Sequence, residues 1–160
     1  MTSLQIEQIE VLLVPVDGSK GSQKAVRLAA GMAQAQGVEL ELLYAFPANA
    51  LELLGPLGDA VSAEQLKYLN TETFEKLRHD SARKVFDAAK SQIPPEQHAQ
   101  VKEVLLPGDP AEAVLKHAEA CRNPMIIVGR RGLSRVRELL LGSVSQRLVH
   151  HAHCPVTVVH

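Results

Sequence analysis

Met125–Ser143 reads MIIVGRRGLSRVRELLLGS, and the fold of the chain turns on how that stretch is parsed. Met125–Val128 is a short apolar run of the kind a fully covered strand shows. Gly129 and Gly132 follow it, and Gly142-Ser143 open a new segment with helical spacing. Ser143 and Gln146 have the spacing of a capping box, which predicts a helix beginning at Gly142-Ser143. A strand that empties into a glycine loop and then a helix start is the unit of a parallel α/β sheet.

The same alternation repeats on either side. Upstream, Val11–Val16 (VLLVPV), Glu39–Phe46 (ELELLYAF) and Val101–Leu106 are predicted strands, and downstream Pro155–Val159 (PVTVV) is the fifth. The helix predicted over Gly21–Gln36 places Ala25, Leu28, Ala29, Met32 and Ala33 on one face, and Gly37 ends it. Ala63–Gln92 reads as one long helix with Phe74, Leu77, Val85 and Ala88 turned inward, stopped by Pro94 and Pro95. Asp109-Pro110-Ala111-Glu112 is a helix start: Asp109 suits the N-cap, Pro110 the first helical position and Glu112 the third. Ala111, Val114, Leu115 and Ala118 then form its apolar stripe. Between Pro47 and Ser62 prolines and glycines interrupt a leucine-rich stretch, so a mobile loop is expected there. The expectation is one domain over 1–160, a three-layer α/β sandwich with a five-stranded parallel sheet and helices on both faces.

Composition narrows the function. The chain has 160 residues, 46% hydrophobic and 22% charged, and 17 basic against 18 acidic side chains leave a net charge of −1. That balance argues against coating nucleic acid or a polybasic membrane contact. Aromatics are 3% with no Trp, so stacking platforms for single strands are scarce. Cys121 and Cys154 lie far apart and outside any CxxC spacing, which supports neither a disulfide framework nor a zinc site. No signal-peptide pattern and no apolar run near 18 residues occur, so a cytoplasmic chain is expected.

Open α/β sheets take ligands at the carboxyl ends of their strands, where the order reverses. The loop after Val128 offers free N–H groups and a positive dipole end at the predicted helix start, which is an anion site. Ser143 and Ser145 offer hydroxyls. Arg130, Arg131, Arg135, Arg137 and Arg147 crowd the segment against Glu138 alone, a local positive field suited to a polyphosphate. Plain turn glycines and a solvated arginine surface are the competing reading. The first strand ends Pro15-Val16-Asp17-Gly18-Ser19, where the Asp17 carboxylate can meet ribose hydroxyls or a Mg²⁺ carried by the nucleotide. Its plainer role is a turn or cap before Ser19. His150, His151, His153 and His160 read as helix-end and terminal histidines rather than a metal set.

GRRGLSRVRELLLGS fits the G-x2-G-x9-G-[ST] pattern through Gly129, Gly132, Gly142 and Ser143, and in this it resembles the ATP-binding universal stress proteins. VLLVPVDGS and HCPVTVV look like the first and last strands of the same family. The resemblance implies a Rossmann-like strand order of 3-2-1-4-5 and bound ATP. It implies that Asp17 meets the ribose, main chain near Ala45 the base, Val128 and Gly129 the ribose flanks, and Gly132, Gly142, Ser143, Val144 and Ser145 the phosphates. Pro124 stands where many members carry an acid. Roles for Arg130 and Arg131 are inferred from charge alone.

No Walker lysine and no G-x-S-x-G elbow occurs, so parts for binding outnumber parts for turnover. The expectation is a regulatory or stress-protective homodimer, acting through unidentified protein partners. The dimer would pair through Pro155–Val159, an uncharged edge strand as the family's dimers do. Two rivals stay open: a slow ATPase or self-phosphorylating enzyme using Asp17-bound metal with Ser143 or Ser145, and an interaction module whose cleft holds no nucleotide.

Overall fold

Strands with no polar face must be covered on both sides, and the architecture does this with two helical layers. The computed structural model describes residues 8–55, 62–66, 70–133 and 140–160. Val11–Pro15 (β1), Glu39–Phe46 (β2), Val101–Pro107 (β3), Pro124–Gly129 (β4) and Val156–Val159 (β5) form one sheet in the order β3-β2-β1-β4-β5. Every pairing is parallel, with Leu12 opposite Leu40 and Met125, and Val128 opposite Val158. The order reverses between β1 and β4, as a sheet of order 3-2-1-4-5 requires.

Alternate residues of β1 serve opposite cores. Leu12 and Val14 pack with Lys20–Gln36 (α1) and Thr71–Lys90 (α4), while Val11 and Leu13 pack with Pro110–Ala120 (α5) and Ser143–His151 (α6). Ile126 and Ile127 of β4 divide the same way. Each such fully buried side chain contributes about 1.5–3 kcal/mol of transfer free energy. Among the described residues no helix is long and apolar enough to cross a membrane.

Capping follows local chemistry. Ser19 Oγ accepts from Ser22 N at 3.1 Å to start α1, and Gly37, at φ 66°, ends it by donating to Ala33 O. Asp109 Oδ1 accepts from Glu112 N at 3.0 Å with Pro110 as the first residue of α5, as the sequence predicts.

Three expectations change. Leu28 is 40% exposed, because the buried stripe of α1 runs through Ser22, Val26 and Ala30 and leaves Leu28 beyond its margin. The helix predicted over 63–92 is in fact Ala63–Leu66 (α3) and α4, since Asn70 takes an extended backbone and caps α4 through Glu72 N at 2.8 Å. Its buried residues are Phe74, Ala82, Phe86 and Ala89, so Leu77, Val85 and Ala88 sit only half-buried at the edge of the stripe. Within 47–62, Ala50–Leu54 (α2) is a short helix capped reciprocally. Asn49 Oδ1 accepts from Glu52 N, and Glu52 Oε2 accepts from Ala48 N at 2.6 Å. Residues 56–61 of that segment lie outside the described residues.

Candidate functional site

Where β1 and β4 part company, their C-terminal ends leave a cleft open to solvent. Twelve of the residues singled out above line it. Pro15, Val16 and Asp17 form the β1 wall and Ala45 the β2 wall, while Val128 and Gly129 are the tip of β4. Arg131 and Gly132 belong to the loop, and Gly142, Ser143, Val144 and Ser145 open α6.

One carbonyl organises the loop. Arg130 N donates to Val159 O at 2.8 Å, extending the β4–β5 ladder by one residue. Arg130 O then accepts from Gly142 N at 2.8 Å and from Ser145 Oγ at 2.9 Å. These bonds clamp the start of α6 against the tip of β4, whatever path the intervening chain takes. Gly142 is therefore the N-cap, and Gln146 N makes the first helical bond, to Gly142 O at 2.9 Å. The capping box of Ser143 and Gln146 is not formed, because Ser143 lies one residue inside the helix. A glycine cap has no side chain to spend on the helix end, so the amides of Ser143, Val144 and Ser145 have no intrahelical acceptor. They are the natural anion donors. Gly142 N and the buried Ser145 hydroxyl are committed to the clamp, so Ser145 Oγ contributes position rather than a free donor.

Asp17 faces this helix end. Its Oδ1 accepts from Ser19 N at 2.9 Å, which is the turn role weighed above. Its Oδ2 lies over Gly132, and a Cβ at that position would strike it. Gly132 thus lets the carboxylate sit against the loop.

Ala45 offers main chain. Leu43 O accepts from Val16 N, and Phe46 O accepts from Gly108 N, each at 2.8 Å. Odd residues of β2 therefore turn toward β1 and even ones toward β3. The β1 register ends at Pro15 opposite Leu43, so the N–H and C=O of Ala45 face the side that β1 has left. A planar ring with donor and acceptor edges fits such a pair.

The arginine cluster is largely dispersed. Arg131 lines the cleft, but Arg147 Nη1 donates to Asp109 Oδ1 at 2.7 Å and Arg130 Nη1 donates to His160 Nδ1 at 3.3 Å. Arg135, Arg137 and Glu138 lie outside the described residues. The polyphosphate field inferred from five arginines thus reduces, among the described residues, to Arg131 and helix amides.

Sequence reasoning missed several walls of the cleft. Tyr44 lines it, edge-on to Phe86 at 6.2 Å, and burial together with the Asp17 charge raises its phenol above the usual value. The hydroxyl keeps its proton and remains a donor. Pro110 and Val114 of α5 close the opposite side. Gly21 was also overlooked: a Cβ there would strike Arg131 O, and one at Gly129 would strike the backbone of Gly21. Helix α1 can approach the β4 tip only because both are glycines. A glycine in the first turn of a helix was the available signal. His150, His151 and His153 are exposed at the far end of α6.

Known proteins resemble this chain in sequence and in fold. The sequence pattern of the universal stress protein family matches residues 8–160. A universal stress protein of Thermus aquaticus is 34% identical over 150 residues, 94% of this chain and 98% of that protein. Among solved structures, a universal stress protein in complex with cAMP superposes with a TM-score of 0.62 at 22% identity, covering 95% of this chain and 97% of the other. One from Archaeoglobus fulgidus in complex with dAMP gives 0.52 at 16% identity, covering 97% and 100%. With the match running from before β1 to the last residue, the chain belongs to the universal stress protein family.

Proposed function

We propose that this universal stress protein binds an adenine nucleotide, ATP, in the cleft between β1 and β4, and acts in the cytoplasm as a regulatory or protective homodimer. The observation that carries this reading is the convergence of three distinct recognition elements on one cleft: the uncapped α6 amides, the Asp17 carboxylate and the outward main chain of Ala45. They match in kind the phosphates, ribose and base of a nucleotide. Arg131 adds the charge complement. The solved relatives with cAMP and dAMP support the adenine part of the assignment. The described lining holds one carboxylate, Asp17, which suits holding a ribose or a Mg²⁺ accompanying the phosphates. A site with one acid supports binding more than turnover, since phosphoryl transfer wants metal-holding and water-positioning groups together.

Calorimetric titration of nucleotide-free protein with ATP and Mg²⁺ is expected to give one site per chain. Asp17→Ala should weaken it by about 10–100-fold, the worth of one or two lost bonds to a charged group. Asp17→Asn keeps an acceptor for Ser19 N, so it should preserve the fold while abolishing the gain that Mg²⁺ gives the wild type. Undiminished, Mg²⁺-sensitive affinity in both variants would contradict the role of Asp17.

The dimer reading rests on the two sheet edges. β3 carries Lys102, Glu103 and Pro107, which blunt it, whereas β5 presents Val156–Val159 without a charge. A second copy pairing along β5 would bury that edge. Light scattering is expected to report a dimer for the wild type and a monomer for Thr157→Lys; a monomeric wild type would refute the pairing.

A further inference from the structure

Glu41 is 3% exposed on the sheet face that α5 and α6 cover, near the start of β2 and so at the opposite end of the strand from the cleft. Its Oε1 accepts from Lys102 Nζ at 2.7 Å, and its Oε2 accepts from His117 Nε2 at 2.6 Å. Burial alone would raise this carboxyl, but the two donors and their charges reverse the sign and hold it below its usual range. It is an anion in an apolar layer, which has to be paired.

Cys121 completes the group. His117 stands in the last turn of α5 and Cys121 at its C-cap, four residues on, so one helix face carries both. One donor atom from each of Glu41, His117 and Cys121 lies within 4.8 Å of the others. Tetrahedral zinc bonds of about 2.0–2.3 Å separate ligand atoms by roughly 3.5 Å, so a small rotamer contraction closes the set. Entry is open from the helix side, where His117 and Cys121 are only half-buried. Lys102, whose side chain is 66% exposed, can withdraw into solvent at little cost.

We propose that Glu41, His117 and Cys121 form a binding site for a zinc-class divalent ion, with Lys102 as the cation that neutralises Glu41 when the metal is absent. Carboxylate, imidazole and thiolate together are the donor set of a borderline ion and unsuited to Mg²⁺ or Ca²⁺. On binding, the Cys121 thiol releases its proton to solvent, the His117 imidazolium likewise releases the Nε2 proton that it gives to Glu41 and keeps its hydrogen on Nδ1, and the bared Nε2 and Sγ each give a lone pair to the ion. One carboxylate and one thiolate then balance the two positive charges, and a fourth position stays open to water. Three residues from β2 and the end of α5 escape any spacing motif, which is why the cysteines alone suggested nothing.

The test uses reduced full-length protein, stripped with chelator and titrated with Co²⁺, followed by Zn²⁺ competition. One Co²⁺ per chain is expected, with thiolate-to-cobalt charge-transfer absorption in the near ultraviolet. Cys121→Ser should abolish that absorption and weaken Zn²⁺ by more than about 100-fold, beyond what a supporting residue costs; His117→Ala should do the same. Lys102→Ala should tighten Zn²⁺ by about two- to fivefold, the worth of one exposed ion pair, which a merely structural Lys102 would not. Cys154→Ser should match the wild type. Absent charge-transfer absorption, its loss in Cys154→Ser alone, or Zn²⁺ bound undiminished by the His117→Ala, Cys121→Ser double variant at the exposed C-terminal histidines would each overturn the site. Circular dichroism confirms that each variant is folded. If Cys121→Ser fails to fold, the Lys102→Ala and Cys154→Ser results decide.

Discussion

Replacing Gly142 by valine is expected to remove measurable ATP binding from a chain that stays folded. A Cβ at position 142 would lie 3.3 Å from Arg131 Cα, 3.4 Å from Arg130 O and 3.6 Å from Gly132 N. All three are main-chain atoms of the loop that faces Asp17. Alanine already presses on them, and the branched valine displaces them along with the clamp between Arg130 O and Gly142 N. Helix α6 would then turn away from the β4 tip and its first amides would no longer converge with Asp17. Loss of two hydrogen bonds to a charged phosphate costs about 3–6 kcal/mol, at roughly 1.5–3 kcal/mol each. That corresponds to a dissociation constant raised by about 10²–10⁴-fold. Alanine should fall between. The core below is untouched, since Leu148 of α6 still fills the face shared with Val11, Leu13 and Ile126. Calorimetry with ATP measures the first effect and thermal melting the second. Wild-type affinity in the valine variant would mean that the nucleotide does not touch this loop.

The same loop shows what sequence can disclose. Strand positions were legible because β1 and β4 are buried on both faces and so carry uninterrupted apolar runs. The ladders confirm the predicted strands to within a residue at each end. Asp109 could be read as a cap because capping is chemistry within four residues. Asn70 and Asn49 were equally local signals, and each caps a helix, but apolar periodicity spoke louder than a lone asparagine. Residues joined only by topology stayed hidden. Glu41 alternates with Glu39 in ELELLYAF, a pattern equally suited to an exposed edge, yet its partners stand 61 and 76 residues away. The arginines were legible as a count and not as directions: Asp109 claims Arg147, and Arg130 reaches back to His160. Glycines at strand tips declared a loop, while the Gly21 contact required knowing which helix lies over β4.

That contact yields the second large effect. Gly129→Ala is expected to lower the unfolding free energy by about 3 kcal/mol, the upper part of the usual range for overpacking. The added Cβ would strike the carbonyl carbon and oxygen of Gly21, atoms of the backbone in the first turn of α1. A side chain in the way could rotate aside, but a helix backbone cannot. The helix must shift from the sheet and take with it Val26 and Ala29, both fully buried. For a chain of this length the loss should lower the melting temperature by about 6–12 °C. Gly31→Ala makes the matched comparison. Gly31 lies within α1, exposed, with nothing beyond the local helix backbone within 4 Å of the position a Cβ would take. There the methyl group only removes chain entropy from the unfolded state, so stability should rise by about 0.5–1 kcal/mol. One substitution at two glycines linked to the same helix thus carries opposite signs, which urea denaturation of the two variants resolves directly. Equal effects would mean that α1 and the β4 tip are not in backbone contact, and Ser19 and Ser22, which line the cleft at the start of α1, would then lose that place.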